Sequence, residues 1–252
     1  MAAAIPMAEF LRGGWTGRAA VLADLDGCLI SGGTVLPQVP ALFDACGERL
    51  WVVSNNSTDT AAGLSRRLAA MGLDLAADRI LLAGEETLHT LAAAYPGARI
   101  ALFAAPPLQA LAQDLGLVLS PDRAEIAVLA RDTGFGFADL ARLAALVHRG
   151  AALWLTNPDP SHPGPDGVPV PETGALFAAL DAMLPRGLPQ CLGKPAPDLI
   201  RKALARAAVL PGAAVYIGDT PQTDGAAAAG VEFVQIAPPA AAAGATAGAV
   251  SC

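Results

Sequence analysis

Charged residues are scarce in this chain of 252, at 15%, and basic ones scarcer still: 16 Lys and Arg face 23 Asp and Glu, a net charge of −7. No basic stripe exists to neutralise a nucleic-acid backbone, which argues against nucleic acid as a partner. No uninterrupted apolar run reaches membrane-spanning length, so no membrane association is expected. Met1 to Phe10 lacks a basic n-region, and a secretory signal is not expected either. The four cysteines, Cys28, Cys46, Cys191 and Cys252, show neither CxxC nor zinc spacing and read as reduced thiols of a cytoplasmic protein. Also missing are G-x-x-x-x-G-K-S/T, a G-x-G-x-x-G after a strand, and H-E-x-x-H. Trp15, Trp51 and Trp154 are not spaced as a base-stacking platform, and core packing suits the latter two.

What is present is core-forming. Hydrophobic residues, inflated by alanine, make up 54%, enough for one large domain or a core with an insertion. Strand-type and helix-type patterns alternate along the chain. Apolar strands are expected over Ala19 to Ala23, Leu50 to Ser54, Arg79 to Ala83, Arg99 to Ala104, Glu125 to Ala130, Ala151 to Leu155, Ala214 to Ile217 and Val231 to Ile236. Helices are expected between them, among them Thr58 to Met71, with Ala61, Leu64, Leu68 and Met71 on one face and Gly72 as its stop. Glu86 to Ala94, Phe137 to His148, Gly174 to Met183 and Leu199 to Ala208 read the same way, and Ala226 to Gly230 as a short helix. A loop dense in proline, glycine and aspartate runs from Asn157 to Thr173 and, at that length, reads as functional. The tail Pro238 to Ser251 is low-complexity alanine and glycine, for which fraying is expected. Alternation of this kind specifies an α/β protein with a doubly wound parallel sheet.

Three strand tips carry the chemistry. The first strand ends in Asp24-Leu25-Asp26-Gly27, which sets both carboxylates on one side of an extended chain and then lets the backbone turn. The second ends in Ser54-Asn55-Asn56-Ser57, and Ala214-Val215-Tyr216-Ile217 ends in Gly218-Asp219, with Asp224 close behind. Carboxylates aimed into a core are costly, whereas strand carboxyl ends in a doubly wound sheet share one crevice that belongs to ligands. A lysine, Lys194, precedes the last of these tips in Gly193-Lys194-Pro195.

In this order the four segments resemble the motifs of haloacid-dehalogenase-type phosphatases, over about residues 19 to 237. The insertion between the second and third is similar to that of the branch containing nitrophenyl-phosphatase-like, ribonucleotide-phosphatase-like, phosphoglycolate and pyridoxal phosphatases. Cys28 stands where that family usually carries threonine, a position that supports the loop. The resemblance implies a Rossmann-like core of residues 1–83 and 187–252 with an inserted smaller α/β cap of residues 84–186. It also implies a Mg²⁺-dependent hydrolase of small phosphate monoesters acting through an aspartyl-phosphate. Pyridoxal phosphate, phosphoglycolate, nucleotide or sugar phosphates and 4-nitrophenyl phosphate are its candidate substrates. A phosphomutase or a catalytically silent phosphate-binding module are the alternatives. The cap residues that would name the natural substrate are not legible, and oligomeric state stays open, although caps of this branch often mediate homodimers.

Residue by residue, the resemblance makes Asp24 the nucleophile and Asp26 the acid and base. Ser54, Asn55 and Asn56 become phosphoryl-binding residues, and Lys194 a cation holding both nucleophile and phosphoryl group. Like charges about 4 Å apart repel by roughly 4 kcal/mol at an effective dielectric of 20. Four aspartates beside a dianionic phosphate against one lysine therefore require a divalent cation, and hard oxygen donors favour Mg²⁺. The implied metal residues are Asp24 and Asp219, Asp26 through its backbone carbonyl, and Asp224 from farther out. In the insertion, Asn157-Pro158-Asp159-Pro160-Ser161-His162-Pro163, with the later Thr173-Gly174, resembles the pyridoxal phosphatase loop. That makes His162 a candidate substrate contact, while Asn157 and Asp159 read equally well as loop-shaping residues.

Overall fold

The computed structural model describes residues 3–164, 168–184, 189–221 and 225–238. Within them lie two five-stranded sheets in which every strand pair is parallel. Across the first sheet the order is Glu232–Gln235, Ala214–Gly218, Ala20–Ala23, Leu50–Ser54, Ile80–Leu82. The chain leaves Ala20–Ala23 in one direction, through Leu50–Ser54 to Ile80–Leu82, and returns on the other side at Ala214–Gly218. Strand order thus reverses at Ala20–Ala23, which puts the ligand crevice of an open α/β sheet at its carboxyl end.

Both faces of this sheet are covered, which is why its strands read as unbroken apolar runs. Val21, Ala23, Leu50, Val52, Val215 and Ile217 pack on one side. Ala20, Leu22, Trp51, Val53, Ala214 and Tyr216 pack on the other, mostly against the helix Asp198–Ala207. The first side is covered in part by the helix Ala61–Ala70, which buries Ala61, Leu64 and Leu68. Thr60 caps that helix by accepting from the Gly63 N–H at 3.1 Å, and the chain leaves it through Gly72 at φ 80°.

The second sheet is built wholly between Ile80–Leu82 and Ala214–Gly218, in the order Gln190–Cys191, Ala152–Leu155, Ile126–Leu129, Arg99–Phe103, Val118–Leu119. The helix Ala83–Ala94 joins the two halves. Its Ala83 belongs to the first sheet's core, while Leu88 and Leu91 pack under the second sheet. Gly84 is required for that passage, since a Cβ there would stand 2.6 Å from Leu108 Cδ1 and 2.9 Å from Ser57 Cα. Glu86 is buried in the same helix, with Lys202 Nζ 3.0 Å away and Arg206 also bonded to it. Two cations on one buried carboxylate offset its desolvation.

Element order follows the sequence expectation, with local differences. The loop Asn157 to Thr173 is not wholly irregular: Ser161–Pro163 pairs antiparallel with Pro169–Pro171, His162 opposite Val170. Prolines are tolerated there because this isolated two-stranded ribbon leaves ladder positions without a required N–H. The helix read from Glu86 starts three residues earlier, at Ala83, directly after its strand. Ala226 to Gly230 holds only a single 3₁₀ turn, Ala227–Ala229. The helix Met7–Phe10 and the strands Val118–Leu119 and Gln190–Cys191 were not expected, being too short to carry a period. Most of the alanine-rich tail and Asp224 lie outside the described residues. No helix among the described residues is long and apolar enough to cross a membrane.

Candidate active site

Beyond the carboxyl ends of the first sheet lies a cavity of about 520 Å³ lined by Asp24, Asp26, Ser54, Lys194, Asp219 and, from the second half, His162. Asp24 follows its strand directly and stays in the ladder, its N–H donating to Ile217 O at 2.9 Å. Leu25 turns fully into the core, which leaves Asp24 and Asp26 facing the cavity as their spacing predicts. Gly27, at φ 81°, makes the turn, and its N–H donates to Ile30 O at 2.8 Å. Cys28 is buried beneath this loop, its Sγ donating to Ile217 O at 3.7 Å. The thiol thus braces the turn against the neighbouring strand.

Lys194 is 2% exposed, and its Nζ donates to Asp24 Oδ1 at 2.6 Å and to the Tyr216 hydroxyl at 2.9 Å. The Tyr216 hydroxyl donates in turn to Val53 O at 3.3 Å. Asn55 holds the lysine's backbone: its Oδ1 accepts from Lys194 N–H at 2.7 Å and its Nδ2 donates to Lys194 O at 2.9 Å. The same Nδ2 donates to Asp159 Oδ2 at 2.8 Å. The side chain expected to bind phosphoryl oxygens is therefore committed to protein partners. Asn56 is likewise engaged, its Oδ1 accepting from the N–H groups of Thr58 and Asp59, each at 3.0 Å. Ser54 Oγ lines the cavity and accepts from Asn56 N–H at 3.1 Å.

The field here is acidic. Asp26 opens onto the cavity, where the surrounding protein displaces bulk water. That desolvation, with the charge of Asp24 next, pushes its carboxyl up to about 6. Burial and then Asp24 also raise Asp219, and burial raises Asp159. Oxygen donors crowded in this way suit a hard divalent cation. Gly27 leaves the room: a Cβ there would stand 2.4 Å from Asp219 Oδ2. Asp24 and Asp219, side by side on the cavity, are compatible with the Mg²⁺ expectation, and Asp224 lies outside the described residues.

The second half meets the first through a buried polar cluster. Asn157 Nδ2 donates to Asn55 O at 2.8 Å and lies 3.2 Å from both Ser57 Oγ and Thr173 Oγ1. Ser57 Oγ also accepts from Arg131 N–H at 3.1 Å. Asn157 further shapes its own loop, its Oδ1 accepting from Asp159 N–H at 3.1 Å. Gly174 permits that crossing, because a Cβ there would lie 2.1 Å from Pro158 O. The reading of Asn157 as a loop-shaping residue agrees with these contacts, whereas the Asp159 carboxylate pairs with Asn55 and lines the cavity.

His162 does reach the cavity, with Nδ1 at 2.6 Å from Glu172 Oε1. Arg131 Nε lies 3.4 Å from that same oxygen and donates to Pro171 O at 3.1 Å. Burial raises Glu172, while Arg131 and His162 pull it down. Arg131, Glu172 and Tyr216 were missed in the sequence. Tyr216 sits inside an apolar strand and reads as core; Arg131 and Glu172 carry a signal only in hindsight, as charges just past a strand tip and just before Thr173-Gly174.

Comparison with known proteins agrees with this geometry. A haloacid dehalogenase-like hydrolase family model matches residues 21–118, and a HAD-hydrolase-like model residues 191–237. A dihydroxyacetone phosphatase of Corynebacterium glutamicum is 30% identical over 81% of this chain and 74% of its own length. A D-glycerol 3-phosphate phosphatase of Mycobacterium tuberculosis is 31% identical over 86% of this chain, which spans only 62% of that relative. A crystal structure of the mycobacterial glycerol phosphate phosphatase with magnesium superposes with a TM-score of 0.81 and 28% identity, over 89% of this chain and 69% of that one. Strand-tip acids, an inserted second sheet and relatives at this identity lead to one conclusion: the chain belongs to the haloacid dehalogenase-like hydrolases.

Proposed function

We propose that this protein hydrolyses small phosphate monoesters by way of an aspartyl-phosphate on Asp24, with Mg²⁺ as cofactor. The observation that carries the reading is the placement of Lys194 Nζ 2.6 Å from Asp24 Oδ1 at the sheet's switch point, with Asp26, Ser54 and Asp219 on the same cavity. Residues 1–83 and 187–252 would form the catalytic core and residues 84–186 a cap over it. A cavity of about 520 Å³ walled from both halves suits a small molecule and shuts out phosphoproteins. The relatives named above act, by their names, on dihydroxyacetone phosphate and glycerol 3-phosphate, which supports a short phosphorylated substrate here.

Asp24 attacks phosphorus with one carboxylate oxygen, and the phosphorus–oxygen ester bond breaks. Asp26 gives its proton to the departing alkoxide, and an elevated carboxyl is suited to that step. It then takes a proton from the water that cleaves the acyl phosphate, releasing inorganic phosphate and restoring Asp24. Lys194 orients Asp24 and offsets its charge. Ser54 would donate to a phosphoryl oxygen, while Asn55 and Asn56 would contribute by holding Lys194 and the loop. A bound Mg²⁺, held by Asp24, Asp219 and the Asp26 carbonyl, would neutralise charge on the phosphoryl group. A cytoplasmic site of action and a homodimer through the cap are parts of the same proposal that rest on the sequence alone. Release of nitrophenolate from 4-nitrophenyl phosphate tests the reading: turnover with Mg²⁺ that vanishes with EDTA supports it, and none under either condition refutes it.

A further inference from the structure

Tyr216 stands out in its strand. Ala214–Gly218 is buried along its whole length, and Tyr216 alone among its side chains carries a polar atom. The residue is fully buried, its ring stacked on Phe233 with centroids 6.1 Å apart. An aliphatic side chain would fill such a position without polar cost, whereas a buried phenol hydroxyl needs partners. It has them: Lys194 Nζ donates to the hydroxyl at 2.9 Å, and the hydroxyl donates to Val53 O at 3.3 Å. The second bond settles the direction of the first. With its proton on Val53, the hydroxyl presents a lone pair to the ammonium. Tyr216 and Val53 belong to the two strands that flank Ala20–Ala23, which runs directly into Asp24. One sheet therefore fixes both the hydroxyl and the carboxylate that meet Lys194.

The ammonium is itself buried, and a buried cation needs acceptors. A charged acceptor would draw down the positive charge that Asp24 and a phosphoryl group require. A neutral hydroxyl satisfies an N–H and leaves that charge whole. With one N–H on Asp24 Oδ1 at 2.6 Å and another on Tyr216, rotation of the ammonium is arrested, and tetrahedral geometry then sets its third direction. We propose that Tyr216 is a positioning residue for phosphoryl transfer, its hydroxyl aiming the Lys194 ammonium at Asp24 and the reacting phosphoryl group. The inference rests on the phosphatase reading above and deepens it.

Tyr216→Phe keeps the ring and its stacking and removes only the hydroxyl. On 4-nitrophenyl phosphate, kcat should fall about ten-fold, equivalent to about 1.4 kcal/mol in the transition state. KM should stay within about two-fold, because orientation and not uniform binding is lost. Asn55→Ala tests the route through the lysine, since it loosens the other end of the same residue. Combined, the two substitutions should cost clearly less than the product of their separate losses. A hydroxyl with only a structural role would lower the melting temperature and leave kcat of the folded enzyme unmoved. That result, or losses that multiply, would overturn the proposal. If the variant does not fold, the wild-type chain decides, because it holds just two tyrosines, Tyr95 and Tyr216. Labelled with 3-fluorotyrosine, it gives a fluorine resonance for Tyr216 that Tyr95→Phe identifies. Binding of Mg²⁺ with inorganic phosphate should shift that resonance, and an unmoved one overturns the proposal. Failure of the wild type on 4-nitrophenyl phosphate would instead refute the phosphatase reading itself, and the positioning role with it.

Discussion

The side chain of Asn55 grips the backbone of Lys194 from both sides, accepting from its N–H at 2.7 Å and donating to its carbonyl at 2.9 Å. One polar residue at the tip of Leu50–Ser54 thereby sets where a lysine 139 positions later delivers its ammonium group. The order of dependence runs from strand tip to backbone clamp to the 2.6 Å contact on Asp24.

Asn55→Ala should therefore lower kcat by about a hundred-fold, the scale of a misplacement near 1 Å at a reacting centre. KM for 4-nitrophenyl phosphate should move far less, because the lost interaction is orientation of the nucleophile. Steady-state kinetics of the folded variant check this. An effect confined to KM would return Asn55 to the direct phosphoryl-binding role that the sequence alone suggested.

Which residues line the candidate site was in large part legible before any coordinates. Asp24, Asp26, Ser54, Lys194 and Asp219 announce themselves because polar residues at the ends of apolar strands conflict with burial and need a ligand to explain them. The contacts of Asn55 were not legible, since a hydrogen-bond partner 139 positions along the chain leaves no trace in local spacing, whereas Asn56 pairs with Thr58 and Asp59 close by. The Ser161–Pro163 ribbon was hidden by its prolines, and Glu172 by the absence of any period around it. The parallel sheet followed from alternation; the pairing of Gln190–Cys191 with Ala152–Leu155 rests on two residues and could not.

Asp26→Asn removes the proton donor while keeping the side chain's size. Alkyl phosphates, whose leaving groups need protonation, should lose about a hundred-fold or more in kcat/KM. 4-Nitrophenyl phosphate, with a stable leaving anion, should lose much less. Equal losses across a series of leaving groups would contradict the acid role.

Removal of divalent metal should abolish turnover, and Mg²⁺ should restore it. Ca²⁺ should restore only a small fraction, because it takes more ligands at longer distances and would engage the second oxygen of Asp24. Gly27→Ala should weaken Mg²⁺ binding as read by calorimetry, since its Cβ would stand 2.4 Å from Asp219 Oδ2. Comparable rates with the two metals would contradict this picture of the donors.

His162→Ala should raise KM for the preferred substrate about ten-fold relative to KM for 4-nitrophenyl phosphate, about 1.4 kcal/mol of binding. The loss would fall on KM, because a contact with the organic part would be made in both ground and transition states. A solvated loop histidine would leave that ratio unchanged, and such a result would remove His162 from the site.

Covalent chemistry at Asp24 is tested most directly by the turnover of Asp24→Asn on 4-nitrophenyl phosphate. The substitution keeps volume and removes the attacking oxygen, so a folded variant should show no turnover above background. A rate above a few percent of wild type, with deamidation back to aspartate excluded by mass spectrometry, would contradict an aspartyl-phosphate intermediate.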